Sequence, residues 1–182
     1  MFKAIHTRDN QEIIILDPAW EDATQLNVLR DQDHRDLLIC QECRQPVRVR
    51  AGEERQWHFA HKQRQNCIYQ SESATLLYAR ATLYRWLVEK FGADQVALEQ
   101  KMEDLDFPRP IDVWVRGEKG SIAYWIIDTG IKTDIREVLR QRFQQLGVHI
   151  QWVFTTSMLR EQEEPGRVTL TTTERDLMTA SR

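Results

Sequence analysis

Cys40 and Cys43, separated by two residues, are the first side chains whose type and spacing indicate chemistry. Two thiolates on one tight turn can bind one metal ion, and zinc then requires two more nitrogen or sulfur ligands to complete a tetrahedron. The candidates for those two positions are His58, His61 and Cys67. Because alternation along a strand directs His58 and His61 to opposite faces, we favour His61 and Cys67, with His58 as the substitute. A closed site of four protein ligands is structural and not catalytic.

The alternative interpretation is that these are buried cysteines and unrelated histidines. The odd number of cysteines argues against a disulfide framework and favours thiolates that hold a metal or simply pack. Five potential ligands between residues 40 and 67 surround a hairpin that is too small for a core of its own, which favours the metal site.

A second group of residues is suited to a harder metal ion. Asp112 lies inside a strand-like run, Asp128 ends a very apolar one, and Glu72 stands at the start of a predicted helix. Carboxylates that project together from neighbouring strands can hold Mg²⁺ or Mn²⁺, which bind a scissile phosphate and activate water. Lys132 or Lys101 would orient that water. In the alternative interpretation Glu72 is an acid favoured by the helix dipole, and Asp128 is a turn residue.

Hydrophobic periodicity predicts the elements that carry these residues. Before Cys67 we expect a hairpin of residues 3–7 and 12–16, a helix over 18–33, and a second hairpin of residues 46–50 and 55–60. After Cys67 we expect a helix over 73–91, strands over 95–102, 111–116 and 122–129, a helix over 133–146, and a strand over 149–154. A further short strand is predicted over 168–171. The order α-β-β-β-α-β in the second half predicts an α/β (α+β) fold.

The chain of 182 residues has room for a small stapled module joined to a second unit with its own core. We therefore expect an N-terminal hairpin, helix and zinc-binding module over residues 1–68. An α-β-β-β-α-β domain should follow over residues 69–158, and a C-terminal extension over residues 159–182.

The charge of the chain is informative locally. A formal net charge of −3 argues against a protein that coats nucleic acid indiscriminately, because such binding depends on many Lys and Arg contacts to phosphate. Six basic residues nevertheless fall close together, interleaved with Trp57 and Phe59: Arg44, Arg48, Arg50, Arg55, Lys62 and Arg64. With only Glu53 and Glu54 opposing them, they predict a phosphate-facing patch, or else a solvated hairpin face.

The location of the protein follows from what the sequence does not contain. No apolar run approaches the roughly 20 residues that span a bilayer. The first residues lack a basic stretch followed by an apolar core, which is the pattern of a secretory signal. We expect a cytoplasmic protein without a membrane segment.

The combination of motifs resembles the bacterial competence protein CoiA family. The likeness in the first half rests on the Cys40 and Cys43 pair, Pro46-Val-x-Val, a Gly turn, His58-Phe-Ala-His61, Cys67 and Glu72-Ser73. In the second half it rests on the Arg-Pro-x-Asp-Val-like run at Asp112 and on the run from Arg142 to Trp152. The resemblance implies a zinc module joined to a restriction-endonuclease-like, PD-(D/E)XK nuclease fold that acts on DNA. It implies that Glu72, Asp112 and Asp128 coordinate metal.

Three functional hypotheses follow. The first is a DNA-processing protein whose nuclease-like domain hydrolyses DNA phosphodiester bonds with Mg²⁺ or Mn²⁺, as a possible homodimer. The second is a catalytically inactive nuclease-fold protein that binds DNA or a protein partner. The third is a purely structural zinc adaptor. DNA cleavage and DNA retardation, compared with an Asp112→Ala variant, separate the three.

Overall fold

The computed structural model describes residues 1–64, 66–70, 72–102, 109–118, 120–158, 160–161 and 168–179. The strands are β1 Lys3–His6, β2 Glu12–Ile14, β3 Leu38–Ile39, β4 Val47–Arg50, β5 His58–His61, β6 Val96–Gln100, β7 Ile111–Gly117, β8 Gly120–Ile127, β9 His149–Phe154, β10 Arg160–Glu161 and β11 Val168–Thr169. The α-helices are α1 Ala23–His34, α2 Ala74–Phe91, α3 Thr133–Gln145 and α4 Thr172–Thr179. Short 3-10 helices cover Pro18–Glu21 and Thr156–Met158.

The N-terminal part is a small sheet, one helix and a separate hairpin. Strand β1 lies between β2 and β3, and antiparallel pairing joins all three. Helix α1 begins after Asp22, whose carboxylate accepts the backbone N–H groups of Thr24 and Gln25, as a good N-cap residue does. Strands β4 and β5 form an antiparallel hairpin that packs beside α1.

The second part is a four-stranded sheet in the order β6-β7-β8-β9. Strands β6, β7 and β8 are antiparallel neighbours, whereas β8 and β9 are parallel. A parallel pair requires a crossover connection, and α3 lies in the connection between β8 and β9. Helix α2 contacts β6, β7 and β8, so the element order α-β-β-β-α-β is the predicted one.

Two hydrophobic clusters hold these layers together. The larger one joins Phe2, Leu29 and Phe59 of the N-terminal part to Leu77 of α2 and Val113 of the sheet. The smaller one packs the buried face of α3, through Leu139 and Phe143, against aromatic and aliphatic side chains of β7, β8 and β9. Because the first cluster crosses residue 68, the N-terminal part and α2 share one core. The predicted boundary between residues 68 and 69 stays a prediction.

The mixed α+β class is confirmed, and the elements differ from expectation mainly at their ends. Strand β5 begins at His58, three residues after the predicted start at residue 55. The preceding loop is closed by Trp57, whose Nε1 donates to the carbonyl of Gly52 at 3.0 Å. Strands β3 and β10 and helix α4 were not expected. Residues 159, 162–167 and 180–182 of the predicted extension lie outside the described residues.

The sequence predicted no membrane segment, and the length and hydropathy of the helices test that prediction. None of the helices within the described part of the chain combines the length and the apolar character needed to cross a bilayer.

Candidate metal centre and buried charge cluster

Four of the five predicted ligands converge in space. The ligand atoms of Cys40, Cys43, His61 and Cys67 all lie within 4.8 Å of one another. The Sγ atoms of Cys40 and Cys67 are 3.9 Å apart, and Cys43 Sγ is 3.2 Å from His61 Nε2. A tetrahedral ion with bonds of about 2.3 Å to sulfur and about 2.0 Å to nitrogen separates its ligand atoms by roughly 3.5 to 3.8 Å. A Cys₃His centre of this size can hold zinc.

The local backbone explains how the two cysteines of the pair meet. Cys40 N–H donates to the carbonyl of Gln45 at 2.9 Å, and Arg44 N–H donates to the carbonyl of Cys40 at 3.0 Å. Arg44 adopts φ of 60°, the left-handed conformation that lets the chain reverse directly after Cys43. The backbone N–H of Glu42 points at Cys40 Sγ at 3.4 Å. This turn directs both thiols to the side where His61 and Cys67 lie.

The protonation of these groups follows from their burial. Burial, reinforced by the nearby Cys67 and Cys43 thiols, raises the pKa of Cys40 to about 12. Burial also raises the pKa of Cys67 and lowers that of His61. Because the thiols are buried and close together, the cysteines favour the protonated form unless a cation lies among them. The neutral imidazole of His61 is the form that binds metal. The donor set fits zinc, which prefers thiolate and imidazole ligands.

His58 lies away from this centre, as the alternation of β5 requires. Its Nδ1 is 2.8 Å from the carbonyl oxygen of Gln56, and its ring lines a groove on the other side of the hairpin. Within the described residues, the Cys₃His set is the one group of three or more Cys, His, Asp and Glu side chains whose ligand atoms converge in this way.

The predicted acids Glu72 and Asp112 belong to a different arrangement, which is centred on Arg80. This arginine of α2 is 3% exposed. Its Nε donates to Asp112 Oδ1 at 2.8 Å and its Nη1 donates to Glu99 Oε1 at 2.8 Å. Nη1 also donates to Glu72 Oε1. We call Glu72, Arg80, Glu99 and Asp112 the Arg80 cluster.

Burial and charge set the ionisation of the Arg80 cluster. Burial, the largest effect, lowers the pKa of Arg80, but the Asp112, Glu72 and Glu99 carboxylates together hold it well above its ordinary value. Burial raises the pKa of Glu72, yet the amino nitrogen of Met1 and the Arg80 guanidinium hold it below its ordinary value. For Glu99, burial dominates and the pKa is raised. The guanidinium is thus the permanent positive centre of the cluster.

Glu99 lies within the strand predicted over residues 95–102, and the structure makes it a central member of the cluster. Its carboxylate accepts the backbone N–H groups of Phe2 at 2.9 Å and Lys3 at 3.2 Å. Its φ of 48° is left-handed, an unfavourable conformation for a residue with a side chain. The pairs Leu98–Val113 and Gln100–Ile111 keep one register of β6 with β7, so Glu99 stands across from Asp112 without forming a regular pair. Glu99 also ties the N-terminal strand to the sheet.

Asp112 is fully buried and has a second set of partners. Its Oδ2 accepts the backbone N–H of Ile126 at 2.7 Å and a hydrogen bond from Arg109 Nη2. Arg109 Nη2 also donates to the carbonyl of Ile126 at 2.8 Å. The register of β7 with β8 ends at Val113 and Tyr124. Asp112 and Arg109 therefore satisfy the backbone of Ile126 beyond the last regular pair.

The other predicted catalytic residues lie apart from the Arg80 cluster. Asp128 is half-buried, and its Oδ2 accepts a hydrogen bond from Ser73 Oγ at 2.7 Å. Lys132 is exposed at the N-cap of α3 and lines the same cleft as Asp128. Lys101, the other candidate cation, pairs with Glu42 at 3.0 Å, beside the metal centre and not with Asp112.

The fit of Mg²⁺ or Mn²⁺ at the predicted acids can be judged from these contacts. A hard divalent ion needs carboxylate oxygens free to coordinate it at about 2.0–2.2 Å. Glu72 and Asp112 instead direct their oxygens at Arg80, and both oxygens of Asp112 have charged partners. The acids do not fit a divalent cation while the guanidinium stands among them.

One signal in the sequence marks Arg80. The buried face of α2 includes Leu76, Leu77 and Leu87, and Arg80 lies on that face at spacings of three and four residues. A charged residue inside an apolar stripe is almost never buried without a partner. The pattern therefore indicates a buried counter-charge, although it does not say which one.

A groove runs between α1 and the β4–β5 hairpin and has a volume of about 860 Å³. We call it the α1–hairpin groove. Arg30 of α1, Arg50, Arg55 and His58 line it together with Glu53 and Glu54 of the hairpin turn. It continues into a smaller depression bordered by Arg48 and Lys62. Two of the six basic residues noted in the sequence, Arg50 and Arg55, thus line the groove, two more border the adjoining depression, and α1 adds Arg30.

These basic side chains differ in whether carboxylates or carbonyl groups of the protein already engage them. Lys62 pairs with Asp33 at 2.9 Å and with Asp36 at 2.8 Å, so these three charges hold the hairpin against α1. Arg30 donates to the carbonyl of Ala51 at 2.7 Å and is exposed. Arg50 and Arg55 are exposed as well.

The fold and the centre define an α+β protein in which a Cys₃His site able to hold zinc packs against an α-β-β-β-α-β sheet domain. Residues 21–70, which contain all four ligands, match the model of the family described as competence protein CoiA, N-terminal domain. The chain is also 30% identical to competence protein CoiA of Bacillus subtilis (strain 168) over 128 residues. These matches show that the chain belongs to the CoiA-like family.

The second match covers 69% of the chain and 33% of the relative, so the chain spans about a third of the length of that protein. No solved structure matches the chain significantly.

Proposed function

We propose that the chain is a zinc-stapled DNA-binding protein that binds the phosphate backbone in the α1–hairpin groove and does not hydrolyse it. The observation that carries the proposal is the position of exposed arginines on two separate elements, with Arg30 on α1 and Arg50 on β4, facing one groove. Phosphate contacts from Lys and Arg supply most of the sequence-independent affinity for DNA. The resemblance to CoiA proteins implies DNA as the nucleic acid.

The charges around the groove support this choice. Arg50 and Arg55 have no ion-pair partner within the part of the chain that the structure describes. Lys62 already pairs with Asp33, which leaves Glu53 and Glu54 at the turn as the opposing carboxylates. A local basic groove of this kind is compatible with a net charge of −3, because the field at short range is set by neighbouring charges.

Zinc has a structural role in the proposal. The Cys₃His centre ties the knuckle at Cys40 to the end of β5 at His61 and to the loop at Cys67. Because β4 and β5 form a two-stranded hairpin, which is marginally stable alone, a closed metal site would fix the groove wall that carries Arg50. The ion would act on folding and groove geometry, not on a scissile bond.

We therefore prefer the hypothesis of a catalytically inactive nuclease-fold protein that binds DNA over the hypothesis of DNA hydrolysis. The carboxylate of Asp112 is engaged by Arg80 and Arg109, so it is not available to hold the cation that a metal-dependent nuclease requires. Hydrolysis remains the competing function, since Asp128 and Lys132 border an open cleft. In this proposal the protein binds DNA in the cytoplasm. Dimerisation stays a prediction.

Fluorescence anisotropy with a labelled duplex of random sequence tests the binding function. Arg50→Glu should weaken binding roughly tenfold at about 0.1 M salt, and should reduce the slope of log K against log salt by about 1. Arg142→Glu is the matched control, because Arg142 is an exposed arginine of α3 on the other side of the sheet. Equal affinities for the two variants would refute binding in the groove.

Plasmid and linear DNA incubated with Mg²⁺ or Mn²⁺ test the competing function. The zinc-loaded protein should leave both substrates intact at concentrations that saturate DNA binding. Cleavage that disappears in Asp112→Asn would restore the nuclease hypothesis. Cleavage that persists in Asp112→Asn but is lost in Asp128→Asn would assign hydrolysis to the cleft of Asp128 and Lys132, whereas cleavage that persists in both variants would indicate a contaminant.

A further inference from the structure

Two aromatic side chains of α2 are exposed to solvent. Tyr78 is 66% exposed and Trp86 is 51% exposed, and they are the aromatic members of the exposed large hydrophobic side chains within the described ranges of the chain. Slightly more than two helical turns separate them, so both lie on the outer face of α2, away from the face that buries Leu77 and Leu87. Two exposed rings in line on one helix face indicate a surface that binds a partner.

Cations accompany these rings. Lys90 Nζ lies over the Trp86 ring, 5.1 Å from its centroid, and Arg85 is exposed beside Trp86 in the chain. The exposed charged residues of α2 are these two cations and one acid, Glu89. An aromatic face flanked by cations is complementary to a nucleotide, which has a π-face on its base and a negative charge on its phosphate. We call this surface the α2 platform, formed by Tyr78, Arg85, Trp86 and Lys90.

The α2 platform adjoins the α1–hairpin groove. Arg85 Nη1 donates to Gln56 Oε1 at 3.2 Å, and the carbonyl oxygen of Gln56 is 2.8 Å from His58 Nδ1. His58 and Arg55, which precedes Gln56 in the chain, both line the groove. The hairpin thus joins the groove to the platform, and one nucleic-acid strand can contact both.

We infer that the protein prefers single-stranded DNA, whose phosphates occupy the α1–hairpin groove while two unpaired bases stack on Tyr78 and Trp86. The inference rests on the proposed function, because the groove supplies the phosphate contacts. At the rise of an α-helix, the two ring positions lie about 12 Å apart along the helix axis. Bases in a duplex follow one another every 3.4 Å or so and cover each other's faces. An unpaired strand can turn separate bases onto the two rings, whereas a duplex cannot.

Fluorescence anisotropy on the zinc-loaded protein, with a labelled oligothymidine and a labelled duplex of the same length, tests the inference. Wild type should bind the single strand roughly fivefold or more tightly than the duplex at equal salt. Trp86→Ala and Tyr78→Ala should each weaken single-strand binding by roughly fivefold or more, because stacking on one base is lost, and should leave duplex binding within about twofold of wild type. Trp86→Phe keeps an aromatic face and should retain most of the affinity. Val138→Ala, an exposed apolar residue of α3, is the matched control and should bind both ligands as wild type does.

Salt dependence separates stacking from ion pairing. Trp86→Ala should weaken single-strand binding without changing the slope of log K against log salt, because no phosphate contact is lost. Arg50→Glu should reduce that slope by about 0.7 with the single strand. Because both rings are exposed, the two alanine variants should also keep the melting temperature of wild type, which circular dichroism checks.

The outcomes distinguish this inference from the function on which it rests. Duplex binding that is insensitive to Arg50→Glu would refute the groove. Duplex binding that requires Arg50, combined with wild-type single-strand affinity in Trp86→Ala and Tyr78→Ala, would overturn the inference alone. A duplex bound more tightly than the single strand, or single-strand binding that requires Trp86 but not Arg50, would overturn it as well. If the α2 platform instead joins two copies of the chain, sedimentation equilibrium without DNA will show a dimer that Trp86→Ala dissociates, and that result also counts against it.

Discussion

Arg80 binds a single carboxylate oxygen of Asp112 with two of its nitrogens, Nε at 2.8 Å and Nη2 at 2.7 Å. The two residues lie 32 positions apart in the chain, one on α2 and the other on β7. Their contact fixes the helix against the sheet. The contact also engages the carboxylate of Asp112, which the sequence analysis predicted to bind a catalytic metal ion.

The stability of the fold should depend strongly on this contact. Asp112→Asn would remove a buried charge that faces Arg80 and Arg109, and would turn an amide donor toward either the N–H of Ile126 or a guanidinium. Removal of one member of a buried ion pair costs about 3–5 kcal/mol. Urea denaturation should show a loss of that size in the free energy of unfolding. Glu118→Gln, an exposed change in the β7–β8 turn, should stay within about 0.5 kcal/mol of wild type. A loss as small for Asp112→Asn would contradict a structural role.

The metal content should follow the geometry of the Cys₃His centre. Elemental analysis should find one zinc per chain in wild type and in His58→Gln, because His58 faces the groove and not the centre. Cys43→Ser and His61→Gln should lower the zinc content and reduce the melting temperature by roughly 10 °C or more, since a structural metal contributes directly to folding. Zinc lost from His58→Gln and retained in His61→Gln would reverse the assignment.

The affinity for DNA should rise as the pH falls. Burial lowers the pKa of His58 below its ordinary value of 6.5, so the ring is neutral at pH 7 and gains its proton only in more acidic solution. Protonation places a further positive charge in the groove beside Arg50. Anisotropy titrations at constant ionic strength, from about pH 7.5 to about pH 5.5, should show a gain of roughly two- to fivefold. His58→Gln should show a smaller gain, and an unchanged gain would remove His58 from the binding surface.

Asp128 should behave as a partner of the α2 N-cap. Ser73 Oγ accepts the N–H of Leu76 at 2.9 Å while it donates to Asp128 at 2.7 Å, so one hydroxyl both caps α2 and joins it to the end of β8. A double-mutant cycle of Ser73→Ala and Asp128→Ala should give a coupling of about 0.5–1.5 kcal/mol. Ser73→Ala combined with Asp22→Ala, which removes the cap of α1, should be additive. Additivity in both cycles would leave Asp128 free for another role.

The order of elements was predictable because it depends on local pattern. Apolar residues recur at helical spacing in α2 and α3 and in unbroken runs in β8 and β9, and those periods require no knowledge of what each face packs against. The knuckle was predictable for a similar reason. A Cys-x-x-Cys spacing fixes two sulfurs on one turn, and strand alternation separates His58 from His61.

The sequence by itself therefore determined the class of fold and the residues from which the metal centre is assembled. Only the tertiary structure decided that the carboxylates of Glu72 and Asp112 pair with Arg80. The contacts of Glu99 with Phe2 span 97 positions, and Glu99 reaches Arg80 from a left-handed backbone conformation. The α1–hairpin groove likewise exists because Arg30 on a helix faces Arg50 on a strand. Periodicity states which face of an element is buried, but the partner of each buried charge depends on how distant elements pack.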